Sequence, residues 1–125
     1  MVWQRAMDLA VRVHEITGAM PPRHRFSLAE QLNRASVSVP SNIAEGAGRC
    51  HRGEYHHHIG IARASVAELE TQLLLAVRVS AIGAGDAAQP LELLTEVGKM
   101  LSGLAPQPRA PAASQCHSLS PSHQH

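Results

Sequence analysis

The stretch Cys50-His-Arg-Gly-Glu-Tyr-His-His-His58 crowds four imidazoles and one carboxylate into nine residues. On a helix, Glu54 and His57 form a Glu-x-x-His pair, and His51, Glu54 and His58 fall at i, i+3 and i+7 on one face, which is metal-ligand spacing. A di-iron bundle needs two such pairs and two further glutamates on facing helices, and no second Glu-x-x-His occurs. What remains is a mononuclear zinc or nickel site built from His58, Glu54 and one more histidine. The plainer reading leaves His56 and His57 solvated and gives His58 a partly buried position.

A second set of chemistry-bearing residues surrounds Ser38-Val-Pro-Ser-Asn-Ile-Ala-Glu-Gly-Ala-Gly-Arg49 and Ala62-Arg-Ala-Ser-Val-Ala-Glu-Leu-Glu-Thr-Gln72. Pro40 deletes the backbone bond to the carbonyl of Ser36, at a cost of roughly 3 kcal/mol in an ordinary helix interior. Ser36, Ser38, Ser41 and the Asn42 amide are placed to offset that loss, through either a kink that wraps the helix around a contact or a polar pocket. Glu45 stands near a helix C-terminus, where the macrodipole disfavours negative charge. It therefore requires a cation, with Arg49 at i+4 and Arg63 on the next helix as candidates. Glu68 and Glu70, two residues apart, point to different faces. Ion pairs or inter-subunit bridges explain this set better than catalysis, so Pro40, Asn42, Glu45, Gly46, Glu68, Glu70 and Gln72 read as a structural or assembly motif. No Ser/His/Asp ordering, Gly-rich phosphate loop or nucleophile elbow occurs, and Gly46-Ala-Gly48 reads as a C-cap and turn. An enzyme and a bound cofactor are not expected.

Arginine could also meet phosphate. Six arginines lie between Pro21 and Arg63, at 23, 25, 34, 49, 52 and 63, against Glu30, Glu45 and Glu54. Arg34, Arg49, Arg52 and Arg63 are the candidate nucleic-acid contacts. Trp3, Phe26 and Tyr55 are the only aromatics, and two of them are expected in the core. That leaves little for base stacking, so the surviving form is recognition of structured RNA by shape or backbone.

Four helical stripes must position these residues. Val2, Ala6, Leu9, Val13, Ile16 and Met20 mark the first, closed by Gly18. Leu28, Leu32, Ala35, Val39 and Ile43 mark the second, opened by a capping box at Ser27-Leu-Ala-Glu30. Tyr55, Ile59, Ala62, Val66, Leu69, Leu73 and Ala76 mark the third, closed by Gly83 and Gly85. Leu91, Leu94, Val97, Leu101 and Leu104 mark the fourth, with a capping box at Asp86 to Gln89 and Pro90 in its first turn. Short connections and spacings of three and four predict an all-α, up-and-down antiparallel four-helix bundle. The domain runs over 1–104, and the Pro/Ser/His-rich stretch 105–125 is expected to be disordered.

The 125 residues suffice for one core. Eleven basic against ten acidic side chains leave a net charge of +1, so any electrostatic partner must be met by a local patch. Cys50 and Cys116 are the only cysteines, and their spacing indicates neither a disulfide framework nor a zinc knuckle. No signal peptide or membrane span is legible, and a cytoplasmic location is the expectation.

Val2-Trp-Gln, Ser38 to Gly46 with Gly48-Arg49, Ile61-Ala-Arg and Glu68-Leu-Glu-Thr-Gln72 occur in one order. On these words, residues Val2 to about Leu104 closely resemble the four-helix-bundle family that includes proteins encoded in intervening sequences of bacterial 23S ribosomal RNA. The resemblance implies an up-and-down bundle, often assembled as a ring-like homopentamer. It is also similar in fold to the accessory proteins of diversity-generating retroelements, which work with a reverse transcriptase and nucleic acid. Residues 50–58 and Ala64 depart from the family pattern and dilute its basic stretch. The expectation is a non-enzymatic homo-oligomeric binding or scaffold protein, with structured RNA or a nucleic-acid enzyme as partner; the alternative is a structural bundle with a transition-metal site at its histidines.

Overall fold

The computed structural model describes residues 1–104, except the side chains of residues 25 and 26. The stretch 105–125, and with it the expected disordered tail, lies outside the described residues. Within them the apolar stripes become four α-helices: α1 (Val2–Gly18), α2 (Glu30–Ala47), α3 (Arg52–Arg78) and α4 (Ala84–Leu104). Each helix packs on its two sequence neighbours and α1 closes on α4, so α1 stands diagonally from α3. The core is aliphatic throughout, with Leu9, Val13, Leu32, Val39, Ile59, Leu69, Leu73, Val97 and Leu101 fully buried. Burial of such side chains contributes about 1.5–3 kcal/mol each and is the main force holding the bundle.

Polar links fix the helices in register. Buried Thr17 on α1 donates to Oδ1 of Asn33 on α2 at 3.0 Å. Arg5 on α1 grips Glu96 on α4 with two bonds of 3.0 and 3.2 Å and also reaches Asp8. Glu96, and behind it Asp8, raise the guanidinium further above its already high pKa.

The helix ends depart from expectation. A 3₁₀ turn (Pro22–His24) and a π turn (Arg25–Ala29) lead into α2, so Ser27 already lies in helical backbone and makes no cap bond. The preceding turns supply backbone in place of a side-chain cap. Helix α4 starts at Ala84, which puts Asp86 in its first turn and Pro90 in its second, inside the helix. None of the glycines expected to close helices has a positive φ.

Helix α3 instead closes on Ser80, whose φ is 62°. Its N–H donates to Val77 O at 3.0 Å, and Ala81 N–H to Ala76 O at 2.8 Å. This is the Schellman pattern, in which the left-handed residue is usually glycine because a Cβ crowds the backbone there. Ser80→Gly is expected to stabilise the protein by about 1 kcal/mol, read as a higher midpoint in urea unfolding; an unchanged or lower midpoint would show that the serine is not strained.

Candidate functional site at the α2/α3 seam

Gly46 lets α2 and α3 touch. A Cβ on it would stand 3.3 Å from His58 Cβ, 3.4 Å from Tyr55 O and 3.6 Å from Tyr55 Cδ1. Two of those three neighbours are fixed to the α3 backbone and cannot swing aside. Gly46 is thus a buried contact within α2, and the C-cap expected of Gly46-Ala-Gly48 falls on Gly48. Partial burial of Tyr55 raises the pKa of its hydroxyl, which stays protonated.

From this contact an uncharged hydrogen-bonded chain runs back along the seam. Asn42 Nδ2 donates to Ser38 O at 2.9 Å and to Ser38 Oγ at 3.1 Å. A carbonyl can only accept, so this bond fixes the amide orientation and turns Oδ1 toward His58. His58 Nδ1 lies 3.0 Å from Oδ1 and must carry the proton there, leaving Nε2 as its unprotonated nitrogen in the neutral ring. At the other end, Ser65 Oγ of α3 donates to Ser38 Oγ at 2.8 Å. Ser36, fully buried, donates to Asn33 O at 2.9 Å. Helix α2 runs unbroken from Glu30 to Ala47 through Pro40, and Asn42 bonds the Ser38 carbonyl, not the Ser36 carbonyl that Pro40 frees. Ser41 is exposed and takes no part in the chain.

The other expected site residues disperse. Glu45 pairs with Arg49 at 2.6 Å on the surface, a geometry worth about 0–1 kcal/mol. Arg63 does not join them; it lies on the side of α3 that faces α4. Arg52 is partly buried and has a partner, while Arg34 is exposed along α2. The four arginines therefore make no single patch, because two lie about the α2/α3 turn and the others on separate helix faces. Glu68 accepts from Gln72 Nε2 at 3.4 Å, and Gln72, although buried, leaves its Oε1 without a partner.

The histidines do not gather into a metal site. His51, Glu54 and His57 are exposed, His58 is engaged by Asn42, and the His57 ring meets the His58 ring edge-on at 5.3 Å. Among the described residues no three His, Cys, Asp or Glu side chains come together to hold a metal ion. Helical spacing aligned these residues along α3, but the ring nearest the core is turned to α2.

Two apolar surfaces were not read from the sequence. Trp3, Met7 and Val11, at i, i+4 and i+8, stand outward on α1, and Trp3 is 44 % exposed. With Val37, Pro40 and Ala44 they line a groove of about 680 Å³ between α1 and α2. Leu74, Leu75 and Val79 are exposed near the end of α3. The 3–7–11 spacing was legible as a second stripe beside the core stripe of α1. No described helix is long and apolar enough to cross a membrane.

A strand-free set of four antiparallel helices, locked at one seam by glycine contact and uncharged hydrogen bonds, defines among the described residues a protein of the small up-and-down bundle class. More particularly, the chain belongs to the 23S rRNA-intervening sequence protein family, whose pattern matches residues 1–103. It is similar to the crystal structure of a protein with unknown function from the S23 ribosomal protein family of Bacteroides thetaiotaomicron VPI-5482. The TM-score is 0.77 at 22 % identity, over 86 % of this chain and 100 % of that one, a likeness that shows the fold. No curated protein matches.

Two substitutions test the seam. Gly46→Ala is expected to destabilise by about 1 kcal/mol net, since overpacking of about 1–3 kcal/mol outweighs a helix-propensity gain of up to ~1 kcal/mol. Gly60→Ala, where nothing stands within 4 Å of the added methyl, should instead stabilise by about 0.5–1 kcal/mol. Equal shifts for both in urea unfolding would show that the close approach is not limiting. Asn42→Ala strips partners from His58 and Ser38 and should cost about 1–3 kcal/mol; calorimetry showing no loss would mean that the chain contributes nothing to the seam.

Proposed function

We propose that the chain is a non-enzymatic scaffold that assembles head to tail with further copies of itself. The observation that carries this reading is the apolar α1/α2 groove, where Trp3, Met7, Val11 and Val37 are all at least 40 % exposed. Contiguous apolar surface of this kind on a soluble protein marks an interaction site. A second copy is the fitting occupant, since Leu74, Leu75 and Val79 form a protruding apolar set on α3, diagonal from α1. Charge agrees with the match: Glu15 lies on the groove and Arg78 sits between the protruding residues without an acidic partner.

Two different faces meeting make a heterologous contact, which closes into a ring or runs on as a filament. The family resemblance favours a ring of five. Such a ring would present each exposed arginine several times. The family's description ties its members to 23S rRNA intervening sequences, and structured RNA or an enzyme acting on nucleic acid is the partner we assign to the scaffold.

Light scattering on purified protein tests the assembly. The unaltered chain is expected to be oligomeric, whereas Met7→Glu with Val11→Glu, or Leu74→Glu with Leu75→Glu, should yield folded monomers by circular dichroism. Mixing the two double variants should restore a dimer, because one groove and one protruding face remain intact between them. A monomeric unaltered chain would sink the scaffold reading, and an α3 variant that still assembles would overturn the head-to-tail contact.

A further inference from the structure

The groove between α3 and α4 differs in chemistry from the apolar one and lies on another side of the bundle. It encloses about 640 Å³, and Arg63, Glu70, Lys99 and Ser102 are among the residues that line it. Gly98 stands opposite Val66, where an added Cβ would lie 3.6 Å from Cγ1. In antiparallel register this places Ser102 across from Arg63, and Thr95 near Glu70.

Arg63 and Lys99 each lack an acidic partner, while Arg5, Arg12 and Arg49 are all paired. Two like charges from separate helices thus line one groove, an arrangement that an anion relieves. The apolar walls of Val66 and Leu94 strengthen any ion pair formed there.

We propose that the Arg63 end of this groove binds a phosphate group. The planar guanidinium fork takes two oxygens, the Lys99 ammonium a third as a point charge, and the Ser102 hydroxyl adds a neutral donor. A carboxylate, with two oxygens, would be satisfied by the arginine alone and leave the lysine idle. Thr95 contributes nothing, because its hydroxyl is spent on Leu91 O at 2.9 Å. Glu70 sits seven residues from Arg63, roughly 10 Å along the helix. It confines binding to one phosphate at the cationic end by repelling a second. The site is independent of the assembly contact and uses none of its residues.

The test is a titration of the full chain with inorganic phosphate, followed by NMR at the Arg63 Nε–H and the Gly98 and Ser102 amides. Saturable shifts confined to the groove are expected. Arg63→Gln and Lys99→Gln should each weaken binding about tenfold, as loss of one charge-assisted contact implies. Glu70→Gln should tighten it, and Arg23→Gln, exposed on the turn before α2, should leave it unchanged.

Shifts scattered over the surface, or equal weakening by Arg23→Gln, would mean an adventitious ion only and overturn the proposal. Fluorescence anisotropy with a hairpin RNA identifies the source. Weakening by the same two groove variants assigns the site to backbone phosphate. RNA binding indifferent to them, alongside specific phosphate binding, assigns it to a free phosphate compound.

Discussion

The approach of α2 to α3 at Gly46 is the constraint from which the rest of the bundle takes its dimensions. A side chain there would meet His58 Cβ and the Tyr55 carbonyl, so the two helices can lie this close only where one of them has none. Closeness brings the small hydroxyls of Ser38 and Ser65 within 2.8 Å of each other. It also lets a single asparagine span from its own backbone to a histidine on the neighbouring helix. The hydrogen bonds set the axial register that the aliphatic core alone leaves loose, because leucine-rich layers accept several sliding arrangements.

The helical stripes were legible because burial acts through spacing, and spacing is printed in the sequence. Asn42 was legible as well: a short polar side chain after a proline in an apolar helix has few uses other than bonding nearby backbone. The ends were not. Ser80 occupies a position that glycine usually fills, and nothing local distinguishes it from an ordinary loop serine. Of the glycines that looked like stops, Gly18 and Gly48 do mark the ends of α1 and α2, whereas Gly46 meets a neighbouring helix and Gly83 and Gly85 lie at the start of α4. The placement of the histidines and arginines was hidden for a common reason: their sequence proximity could not tell which way around a helix each would point, and the fold sends His58 to α2 and Arg63 to α4.

The surface divides along the helix pairs. Between α1 and α2 lies an apolar groove with Trp3 at one end, and between α3 and α4 a groove edged by cations. Neither shares residues with the other, so one side of the molecule can be occupied without obstructing its opposite. The seam between α2 and α3 is closed by its own hydrogen bonds. Its polar motif residues Ser38, Asn42 and Ser65 make internal contacts, while Pro40 and Ala44 of the same motifs line the α1/α2 groove and Arg63 and Glu70 the α3/α4 groove.

The extent of the α2/α3 contact, greater than that of any other helix pair, also orders the way the molecule opens. Helix α4 is tied on one side through the turn at Ser80 and on the other through Arg5, whose side chain is substantially solvent-exposed. Both ties are weaker than the glycine seam, so excursions from the native state should release α4 first and leave the α2/α3 hairpin as the last cooperative unit to exchange its amide protons. A protein organised this way keeps its most characteristic segment folded even while its outer helices breathe.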